Sequence, residues 1–132
     1  MKIINLTQHN ATPEQVAQGV VEPENKKEVQ DLITFKNIPR KRDIALIAMS
    51  LTNIALTEGA TSVMIGGAPY LMGVLERTLL ENGIQPLYSF SERRSIETHQ
   101  PDGSVTKTNV FVHAGWVPAA LDFVPQEDDP EI

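Results

Sequence analysis

The stretch that most constrains the fold is residues 62–70, where a short apolar run passes through two glycines into a proline. Residues 62–65 have the apolar, β-branched character of a strand. Gly66 and Gly67 allow a tight backbone turn, and Pro69 suits the first position of a helix, where its missing N–H would have no partner. The free N–H groups of the first helical turn, Ala68 included, form a candidate anion site. A purely structural strand-to-helix turn has the same sequence, so both interpretations stay open.

The order of elements along the chain predicts the fold class. Apolar runs predict strands at residues 2–6, 20–21, 62–65 and 84–90, and helical spacing predicts helices at 12–18, 26–36, 43–58 and 69–82. Strands separated by helices favour a mostly parallel sheet. Two alternating segments around Asp102 and Gly103 predict a C-terminal antiparallel hairpin. We therefore expect one Rossmann-like α/β domain over residues 1–120, a three-layer sandwich, followed by an acidic tail over residues 121–132.

The predicted central helix, residues 43–58, is apolar on several sides. Such a helix is either sandwiched inside the domain or buried in a dimer interface. Its start carries three cations, Arg40, Lys41 and Arg42, where the helix dipole disfavours positive charge. These residues either bind an anionic partner or are ordinary solvated side chains.

Composition excludes several classes of function. The chain has 132 residues, no cysteine and a net charge of -6, which excludes disulfides and argues against binding of long nucleic acid over a basic face. No apolar run is long enough for a transmembrane helix, and no signal-peptide pattern is present, so we expect a cytoplasmic protein without a membrane partner. The three histidines lack metal-ligand spacing, and we expect no metal and no cofactor.

Ligands of open α/β sheets bind beyond the carboxyl ends of the parallel strands. That rule selects three predicted loops, residues 7–10, 66–70 and 89–94. His9 and Arg93 are the candidate catalytic residues, because histidine exchanges protons near neutral pH and an arginine fork matches a phosphate. The candidate ligand-binding residues are Thr7, Gln8, Asn10, Gly66, Gly67, Ala68, Tyr70, Ser89, Ser91, Arg94 and His113.

Several short motifs resemble a known family. The segments 8–15, 86–93, 102–105 and 110–113 are similar, in this order, to small CRISPR-associated Rossmann-type proteins that resemble stand-alone CARF domains. Some of those proteins are ring nucleases, which open cyclic oligoadenylate messengers. The family pattern has a serine where this chain has Gln8, and an aromatic-Arg element where it has Gly115, Trp116 and Val117.

The resemblance implies a function and a partner. It suggests a homodimeric protein that binds cyclic oligoadenylate or another small nucleotide, and cleaves it without metal by attack of a ribose 2′-OH on the adjacent phosphate. A twofold-symmetric ring would fit a C2 dimer whose paired loops form one site. The alternative is a non-enzymatic α/β module, either a nucleotide sensor or an interaction subunit of a prophage or other mobile element. Gln8 and the absence of a spaced catalytic triad favour that alternative.

Overall fold

A five-stranded sheet in the order β2-β1-β3-β4-β5 forms the middle of the structure. The computed structural model describes residues 2–120, so the expected acidic tail, residues 121–132, lies outside the described residues. The strands are β1 (Ile3–Asn5), β2 (Val20–Val21), β3 (Ser62–Met64), β4 (Gln85–His99) and β5 (Val105–Pro118). The first four run parallel to their neighbours, and β5 is antiparallel to β4. The expected single mixed α/β domain, with a mostly parallel sheet and a C-terminal hairpin, is confirmed.

Four helices connect the strands: α1 (Pro13–Ala17), α2 (Lys26–Leu32), α3 (Lys41–Thr57) and α4 (Pro69–Glu81). The predicted capping box at α1 is present, because the Thr12 side chain accepts from the Gln15 amide while the Gln15 side chain accepts from the Thr12 amide. The prediction for α2 was too long. It ends with Ile33 as its C-cap, after which the Thr34 hydroxyl donates to the Gln30 carbonyl oxygen.

The core lies on both faces of the sheet, because neighbouring strand residues point to opposite sides. Ile4 and Val63 pack with the buried faces of α3 and α4 in the larger cluster. Their neighbours Ile3 and Met64 pack on the other face with Val20 and Leu87, beneath Ala11 and Trp116.

Within residues 2–120, the central helix α3 is covered on one side only. It buries one stripe, Ala48, Leu51, Thr52 and Ala55, against the larger cluster. On its outer side Leu46, Met49 and Leu56 are exposed by 59%, 52% and 44%. The described residues therefore do not sandwich α3, and the dimer interface stays a prediction.

The predicted loop at residues 89–94 is also wrong, because this segment belongs to the continuous strand β4. Only Gln85–Leu87 of β4 pairs with β3, whereas pairing with β5 continues to His99. Beyond the sheet the two strands form a hairpin arm roughly 27 Å long. A register shift after Phe90 leaves Ala114 of β5 without an opposite residue, so the arm begins at a β-bulge.

Within residues 2–120, no helix is both long enough and apolar enough to cross a membrane.

Two neighbouring valines of β2 test the placement of the smaller cluster. Val20 is 1% exposed, and Val21 is 41% exposed. We expect Val20→Ala to lower the free energy of unfolding by about 1.5–3 kcal/mol, because it removes two buried methyl groups and leaves a cavity. Val21→Ala is the matched control and should cost less than about 1 kcal/mol. Equal losses in urea denaturation of the two variants would contradict this arrangement of the sheet.

Candidate functional site

A cavity of about 540 Å³ lies at the carboxyl ends of β1 and β3 and beside β4. We call it the strand-end pocket. Its lining residues come from the loop after β1, the start of α1, the turn after β3 and the middle of the sheet. They are Thr7, Gln8, His9, Asn10, Thr12, Gln15, Met64, Ile65, Gly66, Gly67, Tyr88 and Ser89.

The structure thus brings together seven of the residues that the sequence selected, namely Thr7, Gln8, His9, Asn10, Gly66, Gly67 and Ser89. They meet because parallel strands place their carboxyl ends at one edge of the sheet.

Asn5, at the end of β1, holds the loop that forms one wall of the pocket. This fully buried side chain donates to the His9 carbonyl oxygen at 2.8 Å and to the Glu22 carboxylate at 3.0 and 3.2 Å. Its oxygen accepts from the Thr7 amide at 2.9 Å and from the Thr7 hydroxyl at 2.7 Å. An Asn followed two residues later by Thr is the sequence signal of such a turn, so this contact could have been predicted from residues 5–7 alone.

Glu22 and Lys26 complete this scaffold. The Lys26 ammonium lies 3.1 Å from the Glu22 carboxylate and donates to the carbonyl oxygens of Thr7, at 2.7 Å, and His9, at 3.0 Å. Glu22 also accepts from the Ala11 amide at 2.7 Å. Partial burial acts to raise the pKa of Glu22, but the bonds from Ala11, Lys26 and Asn5 outweigh it and the pKa is lowered. The ionised Glu22 carboxylate and the Lys26 ammonium therefore hold the backbone of this loop in place.

Gln8 serves this scaffold as well as the pocket. Its side-chain amide donates to the Thr34 hydroxyl at 2.8 Å, and its carbonyl oxygen accepts from Gln30 at 2.9 Å. These contacts tie the loop to the end of α2.

His9 combines a fixed backbone with a free ring. Its carbonyl oxygen accepts from Asn5, Lys26 and the Thr7 hydroxyl, the last at 3.2 Å. Its imidazole is exposed and makes no hydrogen bond to the described residues. The ring can therefore meet a ligand in the pocket without first breaking a protein contact.

The turn after β3 provides donors at the floor of the pocket, where Gly66 and Gly67 are lining residues and Ala68 follows them directly in the chain. The backbone amides of Gly66, Gly67 and Ala68 donate to no acceptor among residues 2–120. Gly67 has a φ of 145°, which only glycine adopts without strain, and Ala68 is the N-cap of α4. These donors lie at the positive end of the helix dipole, where an anion is stabilised.

Ser89 and the buried His113 form a polar chain with Gln15 of α1 and with Gln18, the C-cap of that helix. Gln15 donates to the Ser89 hydroxyl at 3.1 Å, Ser89 Oγ lies 2.5 Å from His113 Nδ1, and His113 Nε2 lies 2.8 Å from Gln18 Oε1. Because Gln18 offers an oxygen, Nε2 carries the proton and Nδ1 accepts from Ser89. Burial lowers the pKa of His113, and the charge of Glu14 opposes that change only in part. His113 is therefore held neutral behind Ser89 and does not itself line the pocket.

Tyr88 lines the pocket from the other face of β4. Its hydroxyl donates to Glu76 of α4 at 2.5 Å. Burial, followed by the hydrogen bond and charge of Glu76, raises the pKa of Tyr88, so its hydroxyl stays protonated.

Four predicted site residues lie elsewhere. Ser91, Arg93 and Arg94 are exposed on the hairpin arm and do not line the pocket, and Arg94 pairs with Glu92 at 3.2 Å. Arg93 lies four residues beyond Ser89, about 13 Å along the strand. The sequence analysis placed them at the site because it ended the strand too early.

Tyr70 instead lines a groove beside α3. Its ring packs edge-on against Phe35 with centroids 5.1 Å apart, and Ile38 and Ile44 line the same groove. Among residues 2–120 no group of three or more histidine, aspartate or glutamate side chains is placed to hold a metal ion.

A comparison with family models decides the relationship of the chain. The model of the Uncharacterized protein MJ1673 family matches residues 1–117. The chain belongs to this family. The match spans β1 through most of β5, and so includes the whole strand-end pocket. No curated protein and no solved structure matches the chain.

The ionised Glu22 predicts a pH dependence of stability. Its folded pKa lies below the ordinary value of 4.5, so it contributes stability above pH 4.5 that is lost as the pH falls through the folded pKa. We expect wild type to be more stable than Glu22→Gln at neutral pH, with the difference shrinking as the pH falls below 4.5. Denaturant unfolding of both proteins across this range measures it. A difference that is independent of pH would contradict the scaffold.

The polar chain predicts the tautomer of His113. Side-chain nitrogen NMR should show the proton on Nε2 and a titration midpoint below 6.5, because burial disfavours the charged ring. The unfolded state then takes up the proton first, so His113 destabilises the fold progressively as the pH falls below 6.5. In Ser89→Ala the Nδ1 resonance should shift while Nε2 stays protonated. A proton on Nδ1 in wild type would exclude the arrangement.

Proposed function

We propose that this protein is a Rossmann-like nucleotide-binding domain, with helices on both faces of its sheet, whose strand-end pocket takes a small nucleotide. The sequence resemblance to CARF-like proteins suggests cyclic oligoadenylate as the ligand class. The proposal that the protein binds a nucleotide rests on the geometry of the pocket. The sequence resemblance narrows that nucleotide to the class of cyclic oligoadenylates.

The observation that carries the proposal is the floor of the pocket. Gly66, Gly67 and Ala68 present three backbone amides that have no acceptor among the described residues, at the positive end of the α4 dipole. Among the other polar side chains that line the pocket, those of Gln15 and Ser89 are already bonded to the protein. Backbone donors without an acceptor, placed before the start of a helix, favour an anionic group such as a phosphate.

The walls of the pocket suit the rest of a nucleotide. Met64, Ile65 and the ring of Tyr88 supply apolar surface, and Asn10 adds a polar side chain to the lining. The volume of about 540 Å³ falls within the range of small-molecule sites.

The same geometry supports a route for ring opening. The ribose 2′-oxygen attacks the adjacent phosphorus, the bond to the 5′-oxygen breaks, and a 2′,3′-cyclic phosphate forms. His9 would take the proton of the 2′-OH or return one to the 5′-oxygen, and the three amides would stabilise the charge on the phosphoryl oxygens. Arg93 can assist only if the ligand extends along the hairpin arm or if a second copy supplies it.

A second candidate function is a nucleotide sensor without turnover. Among residues 2–120, no aspartate, glutamate, lysine or arginine lines the strand-end pocket, and His9 is the one histidine that does. Acid–base cleavage uses two proton-transfer groups, and here the second would have to come from the ligand, from water or from another chain.

The floor can be tested by removing a single N–H group. Ala68 has φ −58° and ψ 127°, values that proline adopts, so Ala68→Pro deletes one amide donor with little change in the backbone. We expect Ala68→Pro to weaken binding of cyclic tetra-adenylate at least about tenfold, because a charge-assisted hydrogen bond is lost. Ala68→Ser keeps the amide and is the matched control. Calorimetric titration with both variants gives the comparison, and equal affinities would rule out the amide floor.

Turnover is tested separately in the presence of EDTA, with products followed by chromatography. Cleavage by wild type that His9→Ala abolishes while binding persists supports the nuclease. Binding without products supports the sensor. No binding of cyclic tetra- or hexa-adenylate by wild type overturns both functions for this ligand class.

A further inference from the structure

We propose that two copies of this chain associate through the outer face of α3, with the two helices antiparallel. The inference rests on the shape and charge of α3 and is independent of the nucleotide pocket. Its occupant is a second copy of the same chain.

The outer face of α3 has the spacing of a helix-pairing seam. Leu46, Met49, Asn53 and Leu56 are separated by three, four and three residues, the a/d pattern of two-helix packing. All four are exposed. The helix has 17 residues and is about 25 Å long, so the seam spans most of its length. Solvent-exposed helices seldom carry such a stripe unless another helix covers it.

The acidic end of this surface lies beside the C-terminal half of α3. Glu24, Glu28 and Glu58 line a groove together with Ser50, Asn53, Ile54 and Thr57. None of the three carboxylates forms an ion pair with a described residue. Their contacts are hydrogen bonds from the Glu24 amide to Glu58 and from the Asn25 side chain to Glu28.

The basic end lies at the start of the same helix. Arg40 pairs with Asp43 at 3.3 Å, whereas Lys41 and Arg42 make no ion pair with a residue in 2–120. Arg42 continues the seam, four residues before Leu46. Within one chain these cations face the unfavourable positive end of the helix dipole.

These charges fix the orientation of the two helices. A parallel pair would place basic end against basic end and acidic groove against acidic groove. In an antiparallel pair Arg42 of each copy reaches the acidic groove and the negative helix end of the other. Leu46 of each copy then lies against Leu56 of the other, and Met49 lies opposite Asn53.

This arrangement has a consequence for the strand-end pocket. The C-terminus of α3 lies near the start of β1, where Lys2 donates to the Glu58 carbonyl oxygen at 2.9 Å. The pocket lies at the opposite end of the strands. Antiparallel pairing therefore puts the two pockets at opposite ends of the dimer, so each site would be formed by one chain. This differs from the shared twofold site that the sequence resemblance implies.

Sedimentation velocity of the full chain over a series of concentrations tests the proposal. We expect wild type to dimerise. Met49→Glu, Arg42→Glu and Glu24→Arg should each raise the dimer dissociation constant about tenfold or more, because each change acts twice across the twofold axis. The double variant Arg42→Glu/Glu24→Arg should regain dimerisation, since it exchanges the two charges.

A control variant outside the interface and the charge-exchanged double variant distinguish loss of the interface from loss of folding. Phe111 is an exposed apolar residue on the hairpin arm, 73% exposed, so Phe111→Glu should leave the dimer unchanged. Restored dimerisation in the double variant shows that the single variants fold. A wild type that stays monomeric, a dimer insensitive to Met49→Glu and Arg42→Glu, or a dimer lost in Phe111→Glu would each overturn the proposal.

Discussion

The buried side chain of Asn5 is the contact on which the candidate site depends. It lies at the end of the parallel strand β1, between β2 and β3, and bonds to Thr7, to the His9 carbonyl oxygen and to Glu22. The backbone groups of a loop after a strand are not satisfied by hydrogen bonds to a neighbouring strand. A buried side-chain amide can bond to several of them, because it has both N–H donors and an oxygen acceptor. Lys26 adds a charge to the same contact. The loop can therefore hold His9 in place while leaving its ring free.

The strand-end pocket and the outer face of α3 both contain groups that have no partner among the described residues. At the pocket, three backbone amides have no acceptor among the described residues, and a bound anion would satisfy them. On α3, apolar side chains and two cations remain exposed, and a second copy would cover them. The exposed apolar side chains are unfavourable in water, and the amides can exchange water for a bound anion, so both features give specific grounds for a partner.

Much of the fold could be predicted because local signals agreed with the tertiary structure. The capping box at Thr12, the turn at Gly66 and Gly67, and the hairpin turn at Gly103 are all present. The carboxyl ends of the parallel strands lie at one edge of the sheet, as its topology requires. Seven predicted residues therefore line one pocket. The error at residues 89–94 arose because polar side chains suggested a loop. Pairing with β5 satisfies the backbone there, and polar residues are stable in a ribbon whose faces are both exposed.

The sequence by itself determined the order of elements, the class of the sheet and the edge at which loops converge, because these follow from periodicity, glycine and proline positions and the handedness of crossovers. Only the tertiary structure decided which polar side chains are scaffold and which are free. Gln8, Gln15 and His113 are bonded within the protein, whereas the ring of His9 has no hydrogen bond to a residue in 2–120. It also decided that Arg93 lies beyond the pocket and that one face of α3 is uncovered. These outcomes depend on contacts between residues distant in sequence, and no local pattern encodes which partner a polar or apolar side chain will meet.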